Sequence, residues 1–144
     1  MCGILAIFSH SPVAAELYDG LIHLQHRGTD AAGILTYNKR FHIKKGGGYV
    51  RDIFHEGNMA RLEGNMGIAH NRYSTIGDAH SVENAQPMYN NIPFGIAMAH
   101  NGNLTNYTQL KEELRREHIN CNSDSDLEVI MGVFAATLSA QSAN

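Results

Sequence analysis

The sequence has no tryptophan, and it has only two cysteines and three prolines among 144 residues. The two cysteines, Cys2 and Cys121, lie far apart, so they provide neither a disulfide framework nor the paired spacing of a zinc site. Unpaired cysteines are typical of a reducing compartment. The cysteine content therefore favours a cytoplasmic protein.

A surplus of charge of one sign is also missing. The chain carries 11 basic and 14 acidic side chains, for a formal net charge of −3. Without a surplus of Lys and Arg, nucleic acid is not expected as a partner. The N-terminus has no basic leader and no apolar run approaches roughly 18 residues, so a membrane is not expected as a partner either. A hydrophobic content of 43% fits one globular domain with a real core.

Apolar periodicity predicts an α+β fold with helices layered on a mainly antiparallel sheet. A buried strand at residues 2–8 precedes a helix that begins at Ser11 and Pro12, which suit a cap and a first turn, and ends near Gln25. The polar stretch 71–91 is predicted as a long loop. The other predicted elements are a hairpin joining 31–37 to 41–44, one or two short helices at 50–62, strands at 66–70 and 94–99, and helices at 104–118 and 127–138.

Cys2 stands directly behind the first methionine, and cysteine is small enough to permit removal of Met1. The freed α-amine would titrate near about 8, close enough to neutrality to accept the thiol proton and return it to a leaving amine. Cys2 would then supply both nucleophile and base. Taken alone, Cys2 is better interpreted as a small buried hydrophobic residue, because most free cysteines are.

Two further pairs of residues suit the chemistry of such a nucleophile. Asn101 and Gly102 lie on a turn after an apolar strand, where a side-chain amide and a backbone N–H can stabilise an oxyanion. A plain Asn-Gly turn is the alternative. Arg72 can hold a carboxylate through two hydrogen bonds, and Asp126 can accept from an ammonium group. Each of these two charges is equally explained as a surface or capping residue.

Four stretches carry a family resemblance: MCGI at 1–4, LQHRGTDAAGI at 24–34, NRYST at 71–75 with NAQP at 84–87, and HNGNLTN at 100–106. Together and in this order they resemble the class II glutamine amidotransferases, whose glutaminase domains have an N-terminal nucleophile. Within that family they resemble the amidophosphoribosyltransferases more than the glucosamine-6-phosphate or asparagine synthetases.

The resemblance implies the αββα sandwich of the N-terminal-nucleophile hydrolases, incomplete at its C-terminal side. Residues 1–144 would be the N-terminal portion of a glutaminase domain, with the phosphoribosyltransferase domain absent. The implied activity is hydrolysis of glutamine to glutamate and ammonia. In the parent enzyme this ammonia would feed phosphoribosyl pyrophosphate to make phosphoribosylamine in purine synthesis. The alternative is a truncated, non-catalytic module that binds glutamine or another protein.

The resemblance also assigns roles to individual residues. Cys2 matches the nucleophile that forms a thioester, and Asn101 and Gly102 match the oxyanion-hole donors. Arg72 matches the residue that binds the α-carboxylate of glutamine, and Asp126 matches the residue that binds its α-amine. The remaining positions that the resemblance places near the nucleophile or the substrate are Arg27, Tyr73 and Thr75.

No cofactor is expected for this chain. The resemblance implies Mg²⁺ only for the missing phosphoribosyltransferase domain, and Cys2 directly after Met1 indicates neither a propeptide nor an iron–sulfur cluster. The nine histidines include His23 and His26 on one helix and a group of His70, Asp78 and His80, but no HExxH motif or Cys/His quartet accompanies them. The expected partners are glutamine, the phosphoribosyltransferase domain and other copies of the chain in a homo-oligomer.

Overall fold

The computed structural model describes residues 1–73 and 82–142. The chain divides into two compact units, Met1–Pro87 with Ala99–Asn101 and Met88–Met98 with Gly102–Asn144. Among the described residues, no helix is both long enough and apolar enough to cross a bilayer.

The first unit contains a four-stranded sheet in the order β1-β4-β2-β3. Its strands are β1 (Gly3–Phe8), β2 (Ala31–Asn38), β3 (Arg40–Gly47) and β4 (Met66–Arg72). Every neighbouring pair is antiparallel, which confirms the predicted sheet type. The hairpin connection is shorter than predicted, because Asn38 pairs with Arg40 and only Lys39, at a positive φ of 60°, forms the tip.

Helix α1 (Ala14–His23) packs on one face of this sheet and forms the core of the unit. Leu17 and Leu21 are completely buried there. The prediction that the helix begins at Ser11 and Pro12 is wrong. The preceding backbone is instead bound to the loop before β4, where Ser9 and Val13 donate N–H groups to the carbonyl oxygens of residues 65 and 64, at 2.8 and 3.0 Å. Helical geometry therefore starts only after Val13.

Two short helices, α2 (Val50–Ile53) and α3 (Glu56–Met59), connect β3 to β4. The side chains of Val50 and Ile53 are buried and extend the core below the sheet. Single-turn 3-10 helices occupy Gln25–Arg27, between α1 and β2, and Val82–Asn84, shortly after the end of β4.

The second unit contains a two-stranded antiparallel sheet and two helices. The strands are β5 (Met88–Asn90) and β6 (Ile96–Met98), and the helices are α4 (Tyr107–Arg116) and α5 (Asp126–Ser142). Both helices confirm the prediction, with ends moved by a few residues. The prediction of one long loop over 71–91 is wrong at both ends, because β4 continues to Arg72 and β5 pairs with β6. Three residues are too few for alternation to reveal a strand such as β5.

Candidate active site

Cys2 lies immediately before β1, beside the end of β4. Pairing of Gly3 with Asn71 sets this position, since it places the start of β1 against the last residues of β4. The Tyr73 backbone N–H donates to the Cys2 sulfur at 3.4 Å, and the thiol lies 3.8 Å from the Tyr73 carbonyl oxygen. The backbone that leaves β4 therefore holds the thiol through both of its polar groups.

The carbonyl oxygen of Cys2 accepts two side-chain hydrogen bonds. Arg27 donates from Nε at 3.0 Å, and Asn101 donates from Nδ2 at 3.1 Å. Arg27 belongs to the turn after α1, and Asn101 follows β6 in the chain. The structure thus brings together four of the residues singled out from the sequence: Cys2, Arg27, Tyr73 and Asn101.

The turn that carries Arg27 is fixed by two residues of the LQHRG stretch. A Cβ on Gly28 would lie 2.6 Å from the backbone carbonyl of Arg72, so only glycine permits this approach. The Gln25 side chain donates to the Gly28 carbonyl at 2.7 Å and accepts from the Val50 N–H at 2.8 Å. Both residues belong to the stretch at 24–34 that carries the family resemblance, but no local pattern indicates this structural role.

Arg72 is the last residue of β4 and carries a guanidinium group. Its Nη1 atom is buried and has no hydrogen-bond partner among the described residues. A buried donor without an acceptor costs roughly 1–3 kcal/mol, more for a charged group, and an incoming anion would remove that cost. On the same strand, burial lowers the pKa of His70 to about 4. His70 is therefore a neutral neighbour of Arg72 near pH 7.

Gly102 and Asp126 belong to the second unit. Asp126 is the first residue of α5, and its Oδ2 accepts a hydrogen bond from the Leu104 N–H at 3.3 Å. Gly102 directly follows Asn101 and is exposed. Thr75 lies outside the described residues, so its predicted substrate contact stays a prediction.

No metal-binding group of three or more His, Cys, Asp or Glu side chains occurs among residues 1–73 and 82–142. His23 and His26 each turn Nδ1 toward a backbone carbonyl of the same chain segment, at 2.8 and 2.9 Å. In the group of His70, Asp78 and His80, the last two residues lie outside the described part of the chain.

The sequence is similar to proteins of known function. A family model described as a glutamine amidotransferase domain matches residues 49–140. The amidophosphoribosyltransferase of Pasteurella multocida is 53% identical over 132 residues, which cover 88% of this chain and 26% of that protein. The Escherichia coli enzyme of the same name is 50% identical over 143 residues, which cover 96% of this chain and 28% of that protein. The chain therefore spans about a quarter of the length of these relatives.

Solved structures show the same likeness in three dimensions. The glutamine phosphoribosylpyrophosphate amidotransferase of Bacillus subtilis, complexed with ADP and GMP, superposes with a TM-score of 0.80 at 33% identity, over 92% of this chain and 28% of that one. A structure described as the allosteric regulatory enzyme of purine biosynthesis superposes with a TM-score of 0.82 at 34% identity. The match covers 91% of this chain and 28% of that one. The predicted N-terminal-nucleophile hydrolase fold is confirmed. Since the family model also covers more than half of its length, the chain belongs to the glutamine amidotransferase domain family.

Proposed function

We propose that this chain hydrolyses the side-chain amide of glutamine to glutamate and ammonia, with Cys2 as the nucleophile. The observation that carries the proposal is the convergence of three separate segments on Cys2. The Tyr73 N–H contacts its sulfur, and Arg27 and Asn101 bind its carbonyl oxygen. The contact at the sulfur is the distinguishing one, because a cysteine that only filled apolar space would not need the Tyr73 N–H as a donor.

The reaction requires removal of Met1, which leaves the α-amine on the same carbon that bears the thiol side chain. The amine takes the thiol proton, and the thiolate adds to the amide carbon of glutamine to form a tetrahedral oxyanion. The carbon–nitrogen bond then breaks, and the ammonium form of the amine protonates the leaving ammonia. A water molecule hydrolyses the resulting thioester, which releases glutamate and restores the thiol.

Hydrogen-bond donors lie near the positions where the thiolate and the oxyanion would carry negative charge. The Tyr73 N–H lies 3.4 Å from the sulfur and can donate to the thiolate that attacks the amide carbon. The Asn101 amide nitrogen is 3.1 Å from the Cys2 carbonyl oxygen, which supports its proposed role as one oxyanion donor. The Gly102 N–H stays the predicted second donor.

Arg72 is proposed to bind the α-carboxylate of glutamine. Its buried Nη1, without a partner among the described residues, supports this role because a carboxylate oxygen would complete its hydrogen bonding. Asp126 stays the predicted partner of the α-amine, and Tyr73 and Thr75 stay predicted substrate contacts. Arg27 is proposed to orient Cys2 rather than to touch glutamine.

For a longer protein that contains this domain, we propose the activity named for the relatives, which is that of an amidophosphoribosyltransferase. The ammonia would pass to phosphoribosyl pyrophosphate on a phosphoribosyltransferase domain, as a step of purine synthesis. Mg²⁺ would be required only there, and no cofactor is proposed for the present residues. A cytoplasmic location and a homo-oligomeric assembly belong to the same proposal.

The test is the intact mass of the purified chain before and after treatment with 6-diazo-5-oxo-norleucine, an electrophile shaped like glutamine, together with ammonia release from glutamine. We expect loss of Met1, a single adduct and hydrolysis of glutamine. Cys2→Ala should abolish the adduct and the hydrolysis while glutamine still binds. The matched control is Cys121→Ala, which removes the other thiol and should react normally. An adduct on Cys121, or processed chain that neither reacts nor releases ammonia, contradicts the proposal and favours a non-catalytic glutamine-binding module.

A further inference from the structure

We propose that Gln86 is a positioning residue, which sets the direction of the proposed oxyanion donor Asn101 through the backbone of His100. The inference rests on the proposed glutaminase chemistry and deepens it. Gln86 belongs to the NAQP stretch, to which neither the sequence nor the proposed reaction assigned a role.

The Gln86 side chain makes a buried polar contact next to the site. Gln86 is only 7% exposed, and its Oε1 accepts the backbone N–H of His100 at 2.7 Å. His100 immediately precedes Asn101, whose Nδ2 lies 3.1 Å from the Cys2 carbonyl oxygen. The residue that Gln86 contacts is thus the direct neighbour of the residue whose side-chain amide is proposed to stabilise the oxyanion.

The backbone around Gln86 is itself bound to the sheet of the first unit. Lys45 on β3 donates from Nζ to the Ala85 carbonyl oxygen at 2.7 Å. Gly33 on β2 approaches so closely that a Cβ there would lie 2.1 Å from the Gln86 carbonyl oxygen. The backbone that carries the Gln86 side chain is therefore held in place by the sheet. An active-site group can be positioned precisely only by a residue that is itself held in place.

Loss of the Gln86 acceptor would take a hydrogen bond of 2.7 Å away from the His100 N–H. The turn would then relax toward conformations that satisfy this N–H elsewhere, because leaving a buried donor unsatisfied is costly. Oxyanion stabilisation depends steeply on donor distance, and a misplacement of about 1 Å can lower a rate by about 100-fold. Gln86 would thus affect the transition state more than the binding of glutamine.

Two substitutions and one control separate this role from a purely structural one. Gln86→Met keeps the length of the side chain but removes the acceptor, whereas Gln86→Glu keeps an acceptor oxygen. The matched control is Thr36→Val, because Thr36 is completely buried and its hydroxyl donates to the Glu63 carbonyl oxygen at 2.8 Å, away from Cys2 on β2. It removes one side chain–backbone hydrogen bond from the same unit, at a position in the sheet away from Gln86.

In the full chain with Met1 removed, Q86M should lower kcat for glutamine hydrolysis by about 10- to 100-fold, with KM changed by less than about threefold. Q86E should recover most of the lost kcat. T36V should melt at a lower temperature and keep the kcat of the wild type. A wild-type kcat in Q86M, or the same loss in folded T36V as in Q86M, would overturn the inference.

Hydrogen–deuterium exchange at the His100 amide provides a readout that does not depend on turnover. We expect faster exchange in Q86M than in the wild type, and protection restored in Q86E. Unchanged exchange in Q86M would also overturn the inference. A wild-type chain that lacks glutaminase activity refutes the proposed function, and with it any catalytic role of Gln86. An active wild type with an equally active Q86M refutes only the role of Gln86.

Discussion

His70 should make the stability of this protein fall steeply in mild acid. Its side chain is completely buried in β4. Its pKa is lowered from 6.5 to about 4, mainly by burial and to a lesser extent by the positive charge of Arg72, while the His100 backbone opposes the shift. The folded protein therefore resists protonation of this imidazole, whereas the unfolded chain accepts the proton at the ordinary pKa.

The sign and size of the effect follow from that difference. Above pH 6.5 the imidazole of His70 is neutral in both states and costs nothing. As the pH falls from 6.5 through 4, the unfolded chain gains a proton that the folded chain does not, so the free energy of unfolding decreases. The full difference is worth about 3 kcal/mol, of which about 1 kcal/mol is lost by about pH 5.5 and most of the remainder by about pH 4.5.

The assay is urea denaturation of the wild type and His70→Gln between about pH 7.5 and about pH 4.5. Near pH 7.5 the variant should be less stable, since it disturbs a buried site. Towards pH 4.5 the wild type should lose between about 2 and 3 kcal/mol relative to the variant, which has no imidazole to protonate. His10→Gln, which removes an exposed imidazole, is the control and should follow the wild type. A difference between wild type and His70→Gln that does not change with pH would refute the reasoning.

Four further substitutions test packing and binding. Gly33→Ala places a Cβ 2.1 Å from the Gln86 carbonyl oxygen, so it should cost about 2 kcal/mol or more in urea denaturation and lower glutaminase activity; a stability equal to that of the wild type would contradict this. Leu17→Ala, in the core under the sheet, should cost about 2–5 kcal/mol, whereas Phe8→Ala, at a side chain 73% exposed, should cost much less; equal losses would be inconsistent with the described core. Arg72→Gln should raise KM for glutamine by about 10- to 100-fold, because it removes a charge-assisted contact, and an unchanged KM would argue against carboxylate binding.

Elements with several turns or several alternating positions were predictable from the sequence. Helix α1 repeats Leu17 and Leu21 on one face, and the pattern indicates its presence regardless of what surrounds it. Its start was not predictable in the same way. Ser11 and Pro12 have suitable helix-start chemistry, but hydrogen bonds from the neighbouring backbone to the loop at residues 64 and 65 decide the boundary. Such tertiary contacts leave no local signal.

The candidate site also has features that the sequence predicts and features that it does not. Motifs singled out Cys2, Arg27 and Asn101, although nothing in their spacing indicates that two side chains would bind the carbonyl oxygen of the first. Gln86 belongs to the NAQP stretch, but the sequence does not indicate its role, because that role depends on a backbone N–H 14 residues further along the chain. Sequence patterns report side-chain chemistry well, but they do not report which backbone group a side chain will meet.

The pairing of β1 with β4 has a consequence for how the protein is made. Tyr73 contacts the Cys2 thiol from 71 positions along the chain, and Asn101 reaches the same residue from 99 positions away. The β2–β3 hairpin pairs neighbours in sequence and can form as soon as it leaves the ribosome, whereas closing a loop this long carries a larger entropic cost. During translation, the set of contacts around Cys2 therefore cannot be complete until Asn101 has emerged. The proposed nucleophile thus gains its full set of partners only late in the synthesis of this segment.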